Sequence, residues 1–380
     1  MKKVAWLLPS LLEGSGGHRT ILHHAKMLED HGYECHIFFE NTSALNTRAA
    51  IQSLLGFDFK HIYNSWEPAK TIPAVAAIAT IWYSAKFVRD LKNVRHRCYF
   101  IQDYEAYFNP MGSGYLMAEN SYTYGLTSIS IGRWLAYKLT TEYHSPIAFF
   151  DFCADTTTYK PLPGLSKKRQ VCMIYQPEKP RRCSELGIEA LGIVKANRPD
   201  VEITLYGSKT KGQVWFDHRN LGLLSTIDCN TLYNESTVGL CLSSSNPSRI
   251  PFEMMAASLP VVELYRSCTL YDLPNTAVSL CEQTPESLAQ GIIDILDNPQ
   301  KRESMAQAGY NFMKDRNSRH CEQQFLQFFD RVISGEEMPS LPLPDAFPHI
   351  PIRANRHLNT ASRPPRKKSL LKKIKSFISS

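Results

Sequence analysis

Several things are missing from this 380-residue sequence, and each absence narrows what it encodes. No Cys-x-x-Cys pair occurs among its ten cysteines, which lie at irregular intervals, so zinc ribbons and dithiol redox motifs are excluded. Most of these cysteines sit in apolar runs, and buried reduced thiols are the expectation. No apolar run is long enough to cross a bilayer. The start, Met1-Lys2-Lys3 followed by VAWLLPSLL, looks like a signal peptide only until Pro9 interrupts it and Glu13 follows, so a cytoplasmic protein is expected. The fingerprint Gly-x-Gly-x-x-Gly is absent, because Gly14, Gly16 and Gly17 are followed by no glycine until Gly32. That weighs against a dinucleotide oxidoreductase.

Charge is also scarce where a nucleic-acid binder would need it. The formal net charge is +7, and Arg363, Arg366, Lys367, Lys368, Lys372, Lys373 and Lys375 supply that excess from the tail alone. The neutral body argues against nucleic acid as a partner. With 43% hydrophobic and 21% charged residues, the rest has the composition of a folded chain long enough for two domains.

Apolar strands alternate with amphipathic helices throughout. Val4 to Leu8 reads as a buried strand, Gly14 to His18 as a glycine loop, Thr20 to His31 as a helix and Glu34 to Glu40 as a second strand. This is the opening unit of a doubly wound parallel sheet, whose ligands bind at the carboxyl ends of the strands. Further strands are expected at Phe59 to Tyr63, Ala76 to Trp82 and Cys98 to Gln102. The last runs into the acidic aromatic loop Asp103-Tyr104-Glu105-Ala106-Tyr107-Phe108, which either binds a sugar acceptor or staples the next helix. The prolines and threonines of Phe149 to Pro163 mark a boundary. A second alternating unit begins at Val171, with the loop Gln176 to Arg182 after its first strand. Ser243 to Leu264 then reads as loop, short helix, turn and buried strand. The start of that helix, near Pro251, suits an anion, and Glu253 one turn in can accept hydrogen bonds from vicinal hydroxyls or complement the helix dipole.

Phe-Glu-Met-Met-Ala-Ala-Ser-Leu-Pro-Val-Val resembles the Glu-Ala-Met-Ala-x-Gly-x-Pro-Val-Val signature of family 4 glycosyltransferases, retaining enzymes of the GT-B fold. The resemblance spans about residues 1 to 335. It implies an α/β chain with two Rossmann-like doubly wound domains facing across a cleft: residues 1–155 for the acceptor and 156–317 for the nucleotide-sugar donor, with a last helix, 318–335, crossing back to the first. Glu253 matches the glutamate that holds the ribose, and Ser245 stands where that family has a second glutamate for the sugar. Gln176 stands at an arginine place and Arg181 or Arg182 near a lysine place, both gripping the diphosphate. Backbone at Ser248 and Arg249 faces the distal phosphate, and Leu223 and Leu224 match the segment that reads the base. Gly16, Gly17 and His18 match a loop packed against donor and acceptor, with His18 either near the sugar or structural. Together with Asp103 and Glu105, Gly17 and His18 form the expected catalytic set.

No Asp-x-Asp occurs and no histidine or cysteine cluster is apparent, so no metal site and no cofactor are expected; the nucleotide sugar is a substrate. The segments EGSGGHRTI, FIQDYEAYF, PMGSGYLMAEN and SRIPFEMMA most resemble rhamnosyltransferase-like enzymes of bacterial surface polysaccharides, implying dTDP-rhamnose as donor and a glycan or lipid-linked glycan as acceptor. A non-catalytic GT-B-like binding module remains the alternative. Residues 336–365 read as a flexible linker. Leu370, Leu371, Ile374, Phe377 and Ile378 fall on one helical face of 366–380 among lysines, the pattern of a basic amphipathic helix on an anionic membrane surface. With it, the protein is expected at the inner face of the cell membrane.

Overall fold

The computed structural model describes all residues except 1, 14, 41–44, 146, 211, 213, 337–342, 355–356 and 360–380. The expected membrane-surface helix therefore lies outside the described residues, as does Gly14. Among the described residues no helix is long and apolar enough to cross a membrane.

Two parallel sheets organise the chain. The first has seven strands: β1 (Lys2–Leu8), β2 (Tyr33–Phe39), β3 (His61–Tyr63), β4 (Ala74–Ala79), β5 (Val94–Ile101), β6 (Thr127–Ile131) and β7 (Ile147–Phe150). Their spatial order is β3-β2-β1-β4-β5-β6-β7. The second has β8 (Gln170–Ile174), β9 (Glu202–Tyr206), β10 (Arg219–Asn220), β11 (Val238–Leu240), β12 (Val261–Leu264) and β13 (Val278–Cys281), in the order β10-β9-β8-β11-β12-β13. In each, the order reverses beside the first strand, leaving a crevice at the carboxyl ends where loops from either side part. The strands read as near-continuous apolar runs because helices cover both faces. β1, for example, is fully buried from Val4 to Leu8.

The last helix, Ser318–Ser334, returns to the first domain, where Phe325 packs 6.3 Å from Trp6, 5.9 Å from Phe100 and 4.7 Å from His24 between ring centroids. Two expectations are corrected nearby. Cys153 and Cys321 are disulfide-bonded, joining the segment after β7 to this helix, whereas the other eight cysteines are free thiols as expected. The spacing along the chain hides this pair, which only the return of the last helix brings together.

The expected linker is not free where it is described. Residues 343–354 lie along the second domain: Phe347 N donates to Leu270 O at 2.8 Å, and Ile352 extends the sheet beside β13 through Ile352 N to Leu280 O, 2.8 Å, and Glu282 N to Ile352 O, 3.1 Å. Arg353 pairs with Glu282 at 2.8 Å, and Ile352 and Leu358 pack on the core. Proline content mimics a linker, but prolines hold a chain extended at little entropic cost, and Phe347, Ile352 and Leu358 supply anchors.

Candidate functional site in the interdomain cleft

Gly16 and Gly17 do not form a loop. Ser15 caps a helix that starts at Gly16, four residues before the expected Thr20, and its Oγ accepts from His18 N at 3.3 Å. A hydroxyl capping residue followed by the helix itself explains the shift. Gly16 and Gly17 are exposed in its first turn, so this helix start opens onto the cleft. His18 is buried, its ring nitrogens 2.8 Å from Ser15 Oγ and 3.3 Å from Pro9 O. Burial pushes its pKa down against the pull of the Pro9 carbonyl. Gln102 reaches across to Gly17 O at 3.4 Å.

The acidic aromatic loop after β5 is built differently from expectation. Glu105 is buried and turned away from the cleft: its carboxylate accepts from Trp82 N at the start of the helix Trp82–Asp90 and from Tyr99 OH at 3.0 Å, while burial raises its pKa to about 8. This corrects its assignment as a group for acceptor hydroxyls. Asp103 does face the other domain, but its oxygens are already engaged. Oδ2 accepts from Ser245 Oγ at 2.9 Å, and Oδ1 accepts from Asn246 N and Tyr104 N, both at 2.9 Å. Asn246 Nδ2 adds bonds to Gln102 O, 3.0 Å, and Ile131 O, 3.2 Å. Ser245, which stands at the second-glutamate place, thus gives its hydroxyl proton to Asp103.

Around this clasp the domains interlock. Phe152 stacks on Phe252 at 4.7 Å and 5°. Asp272 of the second domain caps the first-domain helix Arg133–Tyr143, accepting from Arg133 N at 2.8 Å and Trp134 N at 3.2 Å. Burial raises the Asp272 pKa to about 6 despite those two donors. Asp151 pairs with Arg133 at 3.0 Å, Arg316 at 2.9 Å and His320 at 3.3 Å.

On the second-domain wall, the loops after β8, β9 and β10 are pinned together. Gln176 Nε2 donates to Gly207 O at 3.2 Å, and Gly207 N donates to Gly222 O at 2.7 Å. Gln176 thus ties the loop after β8 to that after β9. Leu223 beyond this junction is 49% exposed, whereas Leu224 packs on the core. Arg182 Nη1 donates to Ser243 Oγ at 3.1 Å. Beneath it, Glu263 accepts from Ser243 N at 2.9 Å and Leu264 N at 2.8 Å, which fixes the floor of the 243–249 loop.

Two guanidinium nitrogens stand out. Among the described residues Arg181 Nε has no hydrogen-bond partner, and its ion pair with Asp103 Oδ2 spans 3.8 Å, too long for a hydrogen bond. Phe108 lies 4.9 Å beneath its guanidinium. Arg249 Nε is likewise without a partner. Burial lowers the pKa of both groups, Asp103 opposing it for Arg181 and Glu253 for Arg249. Unmet buried donors of this kind call for an anion. Glu253, half-buried beside the Tyr159 hydroxyl, is raised to about 7 by burial, against the attraction of Arg249 and of Arg19 from the first domain. Arg19, in the helix that Ser15 caps, is therefore near enough to Glu253 of the second domain to attract its carboxylate. Ser248 Oγ accepts from Ile250 N at 3.3 Å, opening the short helix Ile250–Ala256.

Sequence reasoning missed Arg19, Tyr159, Asn246 and Asp272. Arg19 alone carried a signal, because it follows Gly16-Gly17-His18 within one helical turn. A cluster of potential ligand side chains was missed as well: Glu34, His36 and His61 gather on the first sheet, away from the cleft. A cavity of about 460 Å³ on the outer side of the helix Trp82–Asp90, lined by Trp66, Tyr83 and Phe87 with three lysines, contains none of the cleft residues.

Two parallel-sheet Rossmann-like domains closing on a polar crevice define the GT-B fold, and comparison with solved structures agrees. Sucrose-phosphate synthase from Thermosynechococcus elongatus superposes with a TM-score of 0.70 at 12% identity, covering 88% of this chain and all of that one. Anabaena HepE in complex with UDP-glucose gives 0.68 at 14%, covering 87% of this chain and all of that one. WaaG, a glycosyltransferase involved in lipopolysaccharide biosynthesis, gives 0.63 at 11% with the same coverage, 87% and 100%. In sequence, residues 169–293 match the family described as WsaF, C-terminal domain. The O-antigen biosynthesis protein RfbC of Myxococcus xanthus is 30% identical over 240 residues, 61% of this chain; the chain spans only 19% of that relative's length.

Proposed function

We propose that the protein is a glycosyltransferase that moves a sugar from a nucleotide diphosphate sugar to a glycan in surface polysaccharide synthesis. The observation that carries this reading is the pair of buried guanidinium nitrogens without partners among the described residues, Arg181 Nε and Arg249 Nε, on the second-domain wall that also carries Glu253, a carboxylate attracted by Arg249 and able to hold vicinal hydroxyls. A diphosphate satisfies the first two and a ribose the third. In this reading the loop 221–224, joined to Gly207 through Gly222, takes the base. The similarity to an O-antigen biosynthesis protein over 61% of this chain supports a polysaccharide acceptor, and the solved complex of a GT-B neighbour with UDP-glucose supports the donor class.

In this reading dTDP-rhamnose is the first donor to test. Transfer proceeds with retention and without a bound metal, the arginines and helix start neutralising the leaving diphosphate, whose oxygen takes the acceptor proton as the glycosidic bond forms. Closure of the domains keeps water from the donor. The tail 366–380 brings the enzyme to a lipid-linked acceptor at an anionic membrane; loss of vesicle sedimentation on deleting 363–380, with turnover preserved, checks this part.

The decisive experiment is turnover of a panel of nucleotide sugars by the purified protein with polysaccharide acceptors. Release of free nucleotide that depends on acceptor supports the proposal. Tight binding without turnover of any donor instead supports a non-catalytic binding module, which the engagement of Ser245 and Gln176 by protein partners favours.

A further inference from the structure

At the edge of the first sheet, toward the amino-terminal end of β2 and away from the cleft, three side chains converge. His36 on β2 and His61 on β3 are register partners, so they stand side by side on one face, and Glu34, two residues before His36, shares that face. The two rings are stacked, with centroids 4.3 Å apart and planes 4° from parallel. Both present Nε2 to one oxygen: His36 Nε2 is 2.8 Å and His61 Nε2 3.4 Å from Glu34 Oε1. The far nitrogen of His36, Nδ1, lies 3.0 Å from the Tyr63 hydroxyl.

We propose that Glu34, His36 and His61 form a binding site for a zinc-type divalent transition metal, with the fourth position open to water. The donor set is two imidazole nitrogens and one carboxylate oxygen, which suits zinc and its neighbours and not the all-oxygen preference of magnesium or calcium. Ligands about 2.1 Å from a tetrahedral ion stand about 3.4 Å apart, which the His61 to Glu34 separation already meets and the His36 to Glu34 separation meets by opening about half an ångström. The side chain of Glu34 is 21% exposed and that of His61 26%, so both can adjust, while buried His36 is held in orientation by Tyr63. An ordinary His–Glu ion pair accounts for His36 but leaves His61 Nε2 buried and, among the described residues, without a hydrogen bond, an atom the metal would satisfy. Lys3 Nζ, 3.9 Å from Glu34 Oε1, is 41% exposed and free to swing away when a cation binds.

The site would act on the fold rather than on transfer. β3 has only three residues and pairs with β2 alone, so a metal bridging Glu34 and His36 to His61 would fasten an edge strand that few backbone bonds hold.

The test is calorimetric titration of the tag-free full-length protein, stripped with chelator, with Zn2+ alone, followed by Co2+ for its visible absorption. The wild type is expected to take up one equivalent. His61→Ala and Glu34→Gln, both at partly exposed positions, are expected to weaken binding by on the order of 100-fold, and Tyr63→Phe by about tenfold. Zn2+ should raise the melting temperature of the wild type by roughly 3 °C and that of His61→Ala not at all. Equal zinc affinity in the wild type and both ligand variants, or no saturable uptake by the wild type, overturns the proposal. Neither result depends on sugar transfer.

Discussion

The hydroxyl of Ser245, in the second domain, donates to Oδ2 of Asp103, in the first, at 2.9 Å, and both side chains are buried. With Asn246 N on Oδ1 of the same carboxylate, the bond makes Asp103 a clasp between the two walls of the cleft. Truncation to Asp103→Ala leaves the Ser245 hydroxyl and Asn246 N–H unpaired and removes the carboxylate nearest to Arg181. We expect a loss of about 2–4 kcal/mol in urea unfolding. An unchanged unfolding midpoint together with abolished turnover would instead assign Asp103 a purely chemical role.

A second interdomain contact has no room for a methyl group. Gly132 has φ +86°, and a Cβ there would lie 2.5 Å from Phe152 Cε2 and 3.0 Å from Asp272 Oδ2. Gly132→Ala therefore combines a left-handed backbone strain with displacement of the ring stacked on Phe252 and of the carboxylate capping the helix Arg133–Tyr143. A destabilisation of about 2–4 kcal/mol is expected, read as a fall in melting temperature. Gly125→Ala, also at positive φ but with open space around the added carbon, should cost only about 1 kcal/mol and serves as the control.

The sheets were legible because both faces of each strand are covered and local periodicity reports that directly, as in β1 and β8. The cleft was legible where the chemistry is local: Glu253 sits one turn into a helix that Pro251 announces. Contacts between distant segments left no local trace. Nothing near Ser245 shows that Asp103 will take its hydroxyl, and nothing near Cys153 shows that the final helix will bring Cys321 to it. The acidic character of Glu105 was visible, but its direction was not, because a loop carboxylate can face a ligand or cap a neighbouring helix with the same sequence around it. The strap at 343–354 was misread for a related reason: composition reports chain stiffness and polarity, while docking depends on three apolar anchors meeting a surface built elsewhere.

Acid should test the seam through Asp151. Burial alone would push its carboxyl up, but Arg316 and Arg133 together with a hydrogen bond from Gln324 bring it down to about 2. For an acid with a depressed folded pKa, the stabilisation is complete above the unfolded value, near 4, and is lost as pH falls toward 2. That window carries about 2 kcal/mol. Unfolding free energy measured from pH 5 to pH 2 should fall more steeply for the wild type than for Asp151→Asn, which starts lower at pH 5. Parallel curves would show that the ion cluster contributes no linked stability.

Glu253 distinguishes a ligand-binding carboxylate from one that only complements its helix. Its pKa is raised to about 7 by burial, so the neutral acid predominates below that pH and the carboxylate above it. The ionised form is the stronger acceptor for ribose hydroxyls. Affinity for a nucleotide diphosphate sugar should therefore increase about five- to tenfold from pH 6 to pH 8, a range in which the esterified diphosphate of the donor does not itself titrate. Glu253→Gln should bind about tenfold more weakly at pH 8 and lose the pH dependence, because the amide keeps the shape but not the charge. Calorimetry of both proteins across this range decides the matter. If Glu253 served only the dipole of the helix Ile250–Ala256, the substitution would shift stability by under about 1 kcal/mol and leave donor affinity and its pH profile as in the wild type.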